Sequence, residues 1–201
     1  MDGVLFDSEL FYIKRTLECL HHFKVEATLE DIRSVAGGNT NHYRNAIAPL
    51  VEPIGMTFEQ FDDYAWQTYK ERPTPYEKIL FPDTYEVLDY LSSRYRLVLA
   101  TSSKSFEVAD VFKRIDIEKY FEFVLTGDMF KEAKPNPDIY LTCIRKLGLQ
   151  PEEIRVVEDS EYGITAAKNA GLYVFARRDD RFGFDQSKAD QLIDTLSELK
   201  K

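Results

Sequence analysis

Sulfur is scarce in this chain: 201 residues hold two cysteines, Cys19 and Cys143. They lie far apart and match no metal or redox spacing, which leaves structural thiols of a reducing, cytoplasmic compartment. Long apolar runs are also missing. None approaches the roughly 18 residues that a membrane span needs, and no secretory signal is visible. Cationic excess is absent too, with 26 Lys and Arg against 35 Asp and Glu and a net charge of −9. That balance argues against a nucleic-acid or anionic-membrane partner. No Gly-rich dinucleotide fingerprint or P-loop occurs, so a nucleotide-binding α/β protein is disfavoured. Internal repeats and low-complexity segments are lacking. One further absence is local. Asp2-Gly3 reads as the turn just after a strand, yet only Met1 precedes it where about five or six strand residues are expected.

What is present is an ordinary globular composition, 44% hydrophobic and 30% charged, with enough aromatics to exclude disorder. From Ser8 the apolar positions Leu10, Ile13, Leu17 and Leu20 fall at helical spacing. His21-His22 closes that helix, where charge complementarity with the helix end explains the pair better than metal ligation. A short helix is predicted over 28–35, then a loop, Ala36-Gly37-Gly38-Asn39-Thr40-Asn41, whose Gly38 and Asn39 are candidate substrate contacts. Helical patterning returns over 42–70, rich in aromatics read as core. Arg72-Pro73-Thr74-Pro75 ends it. Residues 10–78 therefore read as an inserted all-α subdomain.

Beyond residue 79 apolar strands alternate with helices. Strands are predicted at 96–100, 121–125, 154–157 and 172–176, and a final helix over 186–199. Such alternation is the mark of an α/β fold, a Rossmann-like parallel sheet with helices on both faces. Residues 1–9 and 79–201 would form that core. Ligands of such sheets bind outside the carboxyl ends of the strands. The residues there are Asp2, Thr101-Ser102-Ser103-Lys104, Asp128 and Glu158-Asp159, joined by Lys134 from a loop stiffened by two prolines. Adjacent carboxylates are hard oxygen ligands suited to Mg²⁺. Thr101 and backbone N–H groups of the following helix can hold phosphate oxygens, and Lys134 supplies positive charge for a phosphoryl group.

Four stretches carry a resemblance: Asp2-Gly3-Val4-Leu5-Phe6-Asp7-Ser8-Glu9, Leu99-Ala100-Thr101-Ser102-Ser103, Lys134-Pro135-Asn136-Pro137-Asp138-Ile139-Tyr140, and Val157-Glu158-Asp159-Ser160 with Gly163. In these the chain resembles the haloacid dehalogenase superfamily, in its β-phosphoglucomutase-like branch with a helical cap. The resemblance implies a Mg²⁺-dependent phosphatase of a small phosphorylated metabolite, working through an aspartyl-phosphate. Asp2 would be the general acid/base and lend a backbone oxygen to Mg²⁺. Thr101 and the Ser102 backbone, with Ser103, Lys104, Gly38 and Asn39, would bind substrate. Lys134 would bridge phosphate and nucleophile, and Asp159 with Glu158 would hold the metal. No obligate protein partner is implied.

The family's attacking Asp stands two positions before Asp2 and so ahead of Met1. The expectation is that the natural chain carries further residues upstream, ending in the first core strand and that Asp. A chain starting at Met1 would then lack turnover and be poorly stable or be rescued by another chain. In the mutases of the branch a cap arginine holds a second phosphate; Thr40 stands at its place, with Arg44 one helical turn on. Tyr12 stands at the place of the mutase's cap histidine. Both departures favour a phosphatase. A sugar-phosphate mutase and a non-catalytic phosphometabolite-binding relative are the alternatives.

Overall fold

The computed structural model describes residues 1–37 and 40–200. The chain forms two compact units, Ser8–Pro75 and the remainder, Met1–Asp7 with Tyr76–Lys201. The first is helical: α1 (Ser8–His22), α2 (Leu29–Ile32), α3 (Thr40–Val51) and α4 (Phe58–Glu71). Its caps follow from side-chain chemistry. Thr57 accepts from the Gln60 N–H and the Gln60 side chain accepts from the Thr57 N–H, a reciprocal cap at the start of α4. Ile13, Leu20, Ile32, Ile47, Val51 and Phe61 are buried. The ring of Phe23 meets those of Phe61 and Tyr64 edge-on, and His22 stacks on Tyr64. His21 Nε2 donates to the Ala27 carbonyl at 2.8 Å, so this imidazole braces the chain leaving α1. Gly38 and Asn39, predicted as substrate contacts, lie outside the described residues.

The second unit contains α5 (Tyr76–Ile79), α6 (Thr84–Ser92), β1 (Val98–Ala100), α7 (Ser105–Arg114), β2 (Phe123–Leu125), α8 (Asp138–Leu147), β3 (Arg155–Glu158), α9 (Glu161–Asn169), β4 (Tyr173–Arg177) and β5 (Gln191–Ile193). All five strands pair in parallel, β1 with β2, and the central β4 with β3 on one side and β5 on the other. Successive side chains of a strand point to opposite faces, and each face has its own core. Val156, Val174 and Ala176 enter a cluster with Ile139, Tyr140, Cys143 and Ile164 of α8 and α9. Val157 and Phe175 pack instead against a cluster holding Val87, Leu88, Val111 and Ile115 of α6, α7 and the residue after it. Helices thus cover both faces, as the strand pattern predicts.

Two features depart from a single continuous sheet. The strands form a two-stranded and a three-stranded sheet, and an apolar cavity of about 210 Å³ is lined by Val98, Leu99, Val156 and Val157 together with Met1, Val4 and Leu5. Residues 2–6 turn back on themselves, with Gly3 at φ 64° and the Gly3 N–H bonded to the Phe6 carbonyl. The predicted final helix is corrected: Gln191–Ile193 is strand β5, followed by a 3₁₀ turn over Leu196–Lys200. The cause is Asp190. Its N–H donates to the Val174 carbonyl, and its carboxylate accepts from the Val174 N–H and from Lys168. These bonds commit the backbone to the edge of β4 before helix can start. Among the described residues no helix is long and apolar enough to cross a membrane.

Candidate active site

The sharp turn at Asp2-Gly3 delivers two contacts to the carboxyl ends of the strands. The Asp2 carboxylate accepts from Ser103 Oγ at 2.7 Å, and Ser103 in turn accepts from Thr101 Oγ1 at 3.0 Å. The Ser103 N–H closes the relay onto Thr101 Oγ1 at 3.1 Å. Thr101, just past β1, is buried, so its hydroxyl must find partners inside the protein. Gly3 provides the second contact. A Cβ there would stand 1.9 Å from Asp159 Oδ2, and its φ is left-handed, so glycine is required on both counts. Gly127, two residues past β2, is needed for space alone: a Cβ there would meet the Ser102 carbonyl at 2.2 Å.

Lys134, Tyr140 and Glu158 form the most buried charged group of the site. Lys134 Nζ donates to Glu158 Oε1 at 2.6 Å, and both side chains are about 8% exposed. The ammonium also reaches the Tyr140 hydroxyl at 3.2 Å and the Ala100 carbonyl at 3.3 Å. Tyr140 donates to the same Glu158 oxygen at 2.5 Å, and the Asp159 N–H reaches Glu158 Oε2 at 3.2 Å. Burial works to raise the Glu158 carboxyl, but Lys134 and the hydrogen bonds hold it below the usual carboxylate range. Burial, and then the charge of Glu158, push the Tyr140 phenol well above its ordinary value. Gly163 opens the space: a Cβ there would lie 2.2 Å from the Glu158 carboxyl carbon. Ser160 caps α9 through the Gly163 N–H, and Gln186 Nε2 donates to the carbonyls of Asp159 and Arg177, tying the ends of β3 and β4.

Two of the backbone N–H groups at the start of α7 have partners within the protein. Lys104 N donates to Glu107 Oε2 at 2.6 Å and Ser105 N to Asp128 Oδ1 at 3.0 Å. These carboxylates complete the helix end, as acidic groups at an N-terminus do. Asp128 is thereby a cap: the Thr126 hydroxyl holds its carboxyl below the usual range, with help from Ser105. Burial raises the Glu107 carboxyl, and the neighbouring charges of Asp2 and Asp128 add to that. Lys104 is exposed, and its backbone, not its ammonium, joins the network.

The acidic trio Asp2, Glu158 and Asp159 is not gathered as three side-chain ligands. Among the described residues no group of three or more His, Cys, Asp or Glu could hold an ion. Asp2 is held by Ser103, and Glu158 by Lys134 and Tyr140. The donor chemistry still suits Mg²⁺, which keeps several waters and needs only one or two carboxylates. Asp159, fitted against the bare Cα of Gly3, is the residue best suited to that task. Tyr140, Gly3, Gly127 and Gln186 carry site roles that motif reading did not assign. The one available signal was a hydroxyl on the buried face of α8, since buried tyrosine hydroxyls find partners.

The chain is 31% identical over 175 residues to a phosphorylated carbohydrates phosphatase of Thermotoga maritima, covering 86% of this chain and 79% of the relative. It is 26% identical over 175 residues to the fructose-1-phosphate phosphatase YqaB of Escherichia coli, covering 86% and 90%. Among solved structures, a candidate beta-phosphoglucomutase of Thermotoga maritima superposes with a TM-score of 0.77 at 29% identity, over 100% of this chain and 94% of that one. A phosphoglycolate phosphatase predicted in Haemophilus somnus gives 0.79 at 23% identity, over 99% and 93%, and speaks for the fold alone. The family model described as haloacid dehalogenase-like hydrolase matches residues 1–177. With the relay from Thr101 to Asp2, the buried Lys134–Glu158 pair and the parallel strands that carry them, the chain belongs to the haloacid dehalogenase-like hydrolase family.

Proposed function

We infer that this protein is a cytoplasmic, Mg²⁺-dependent phosphatase of a small phosphorylated carbohydrate, working through an aspartyl-phosphate. The observation that carries the reading is the buried Lys134–Glu158 pair, which stands with Asp159 and the Thr101–Ser103–Asp2 relay at the strand ends. A lysine held this deeply is spent on an anion. The substrate class follows the relatives, a phosphorylated carbohydrates phosphatase and a fructose-1-phosphate phosphatase.

Each residue then has a task. Lys134 and Thr101, with the Ser102 backbone, bind the phosphoryl oxygens and neutralise charge that builds in the transition state. Asp2 donates a proton to the leaving sugar oxygen and afterwards accepts one from the attacking water. Ser103, donating to Asp2 Oδ2, leaves the other carboxylate oxygen to carry that proton. Asp159, supported by Glu158, would hold Mg²⁺, and a backbone oxygen of Asp2 would join it. When bound, the ion supplies positive charge against the phosphoryl oxygens. No residue described here is assigned the part of the attacking carboxylate.

The test is a panel of sugar phosphates offered to the native gene product with Mg²⁺ or EDTA. The expected outcome is release of free phosphate that EDTA abolishes and that Lys134→Met lowers by orders of magnitude. A second arm offers β-glucose 1-phosphate with a trace of the 1,6-bisphosphate. Glucose 6-phosphate accumulating in place of phosphate would sink the phosphatase reading in favour of a mutase.

A further inference from the structure

Tyr140 is buried on α8 within the core cluster of β3, β4 and α9. A phenylalanine would fill the same apolar space, so packing does not ask for the hydroxyl. That hydroxyl donates to Glu158 Oε1 at 2.5 Å and accepts from Lys134 Nζ at 3.2 Å. Lys134 has three N–H donors, and all are used internally: on Glu158, on Tyr140 and on the Ala100 carbonyl. An ammonium so committed must give up at least one of these bonds to reach a phosphoryl oxygen. The bond to Glu158 is the costly one to lose, because it would leave a buried carboxylate without its cation.

We propose that Tyr140 is a positioning residue that keeps Glu158 in place while Lys134 turns to the phosphoryl group. This rests on the phosphatase reading of the same site. With Lys134 turned away, Glu158 keeps the Tyr140 O–H on Oε1 and the Asp159 N–H on Oε2. Its orientation, and that of Asp159 beside it, then survives substrate binding. The phenol is redundant in the empty site and necessary in the filled one. A purely structural hydroxyl has no such dependence on phosphate.

The experiment is Tyr140→Phe, with Mg²⁺ affinity measured by calorimetry in the absence and in the presence of saturating orthophosphate. Without phosphate, affinity is expected within about twofold of wild type; with phosphate, it is expected to fall by about tenfold, the size of outer-shell effects on metal sites. An equal loss in both conditions, or none in either, overturns the assignment. Should Tyr140→Phe not fold, 3-fluorotyrosine at position 140 keeps the donor and reports by its ¹⁹F resonance. A shift on adding orthophosphate supports the proposal, and an unmoved resonance overturns it. If wild type binds neither Mg²⁺ nor orthophosphate, the phosphatase reading itself falls. If wild type binds both and the variant matches it throughout, only the role of Tyr140 falls.

Discussion

Arg44 and Glu59 of the helical unit meet at 2.5 Å with side chains 47% and 63% exposed, whereas Lys134 and Glu158 of the α/β unit meet at 2.6 Å with both about 8% exposed. The distances are alike and the surroundings are not. Water solvates the first pair whether or not it forms, so little depends on it. The second pair has left water, and each charge relies on the other and on Tyr140. Such burial adds little net stability. Its place at the strand ends is what the proposed function builds on, while the Arg44–Glu59 pair reports only a solvated surface.

The comparison breaks most sharply at Lys134. Lys134→Met leaves Glu158 buried without its cation and is expected to destabilise by about 3–5 kcal/mol in urea unfolding. In the helical unit an effect of that size needs an apolar deletion. Phe61→Ala removes a ring buried against Phe23 and is expected to cost about 3–5 kcal/mol, read as faster amide exchange in α1 and α4. A smaller effect sharpens the geometry. Gly163→Ala puts a methyl into the Glu158 carboxylate, costing about 1–3 kcal/mol as overpacking does, and Mg²⁺ affinity is expected to fall with it.

Asp190 adds a pH arm. The Lys168 ammonium and then the Val174 N–H hold its folded carboxyl below the ordinary value. Its contribution is therefore present above the unfolded carboxyl's pKa and is lost as pH falls through the folded one. Asp190→Asn is expected to cost about 1 kcal/mol at neutral pH and to flatten the acid side of the stability curve. Smallest of all, Arg44→Met is expected to leave the melting temperature within error. A large shift there would end the contrast between the two units.

The strand-and-helix alternation after residue 79, the helical stretch before it and the glycine-bearing turn at Asp2-Gly3 were legible in the chain, because periodicity and turn chemistry are local. So were the residues that end the strands, among them Thr101, Glu158 and Asp159. Partners were not legible. That Asp128 would close the start of α7 depended on where β2 and α7 come to lie. That Asp190 would pull residues 191–193 into a strand depended on the Val174 edge, which is 16 residues away. Tyr140 stood in a motif stretch with no role of its own until folding brought its hydroxyl against Glu158, 18 residues on. Composition and spacing determine which groups a segment offers. Only the tertiary structure decides which of them leave water together, and desolvation is what makes a carboxylate here a cap and there a candidate part of the chemistry.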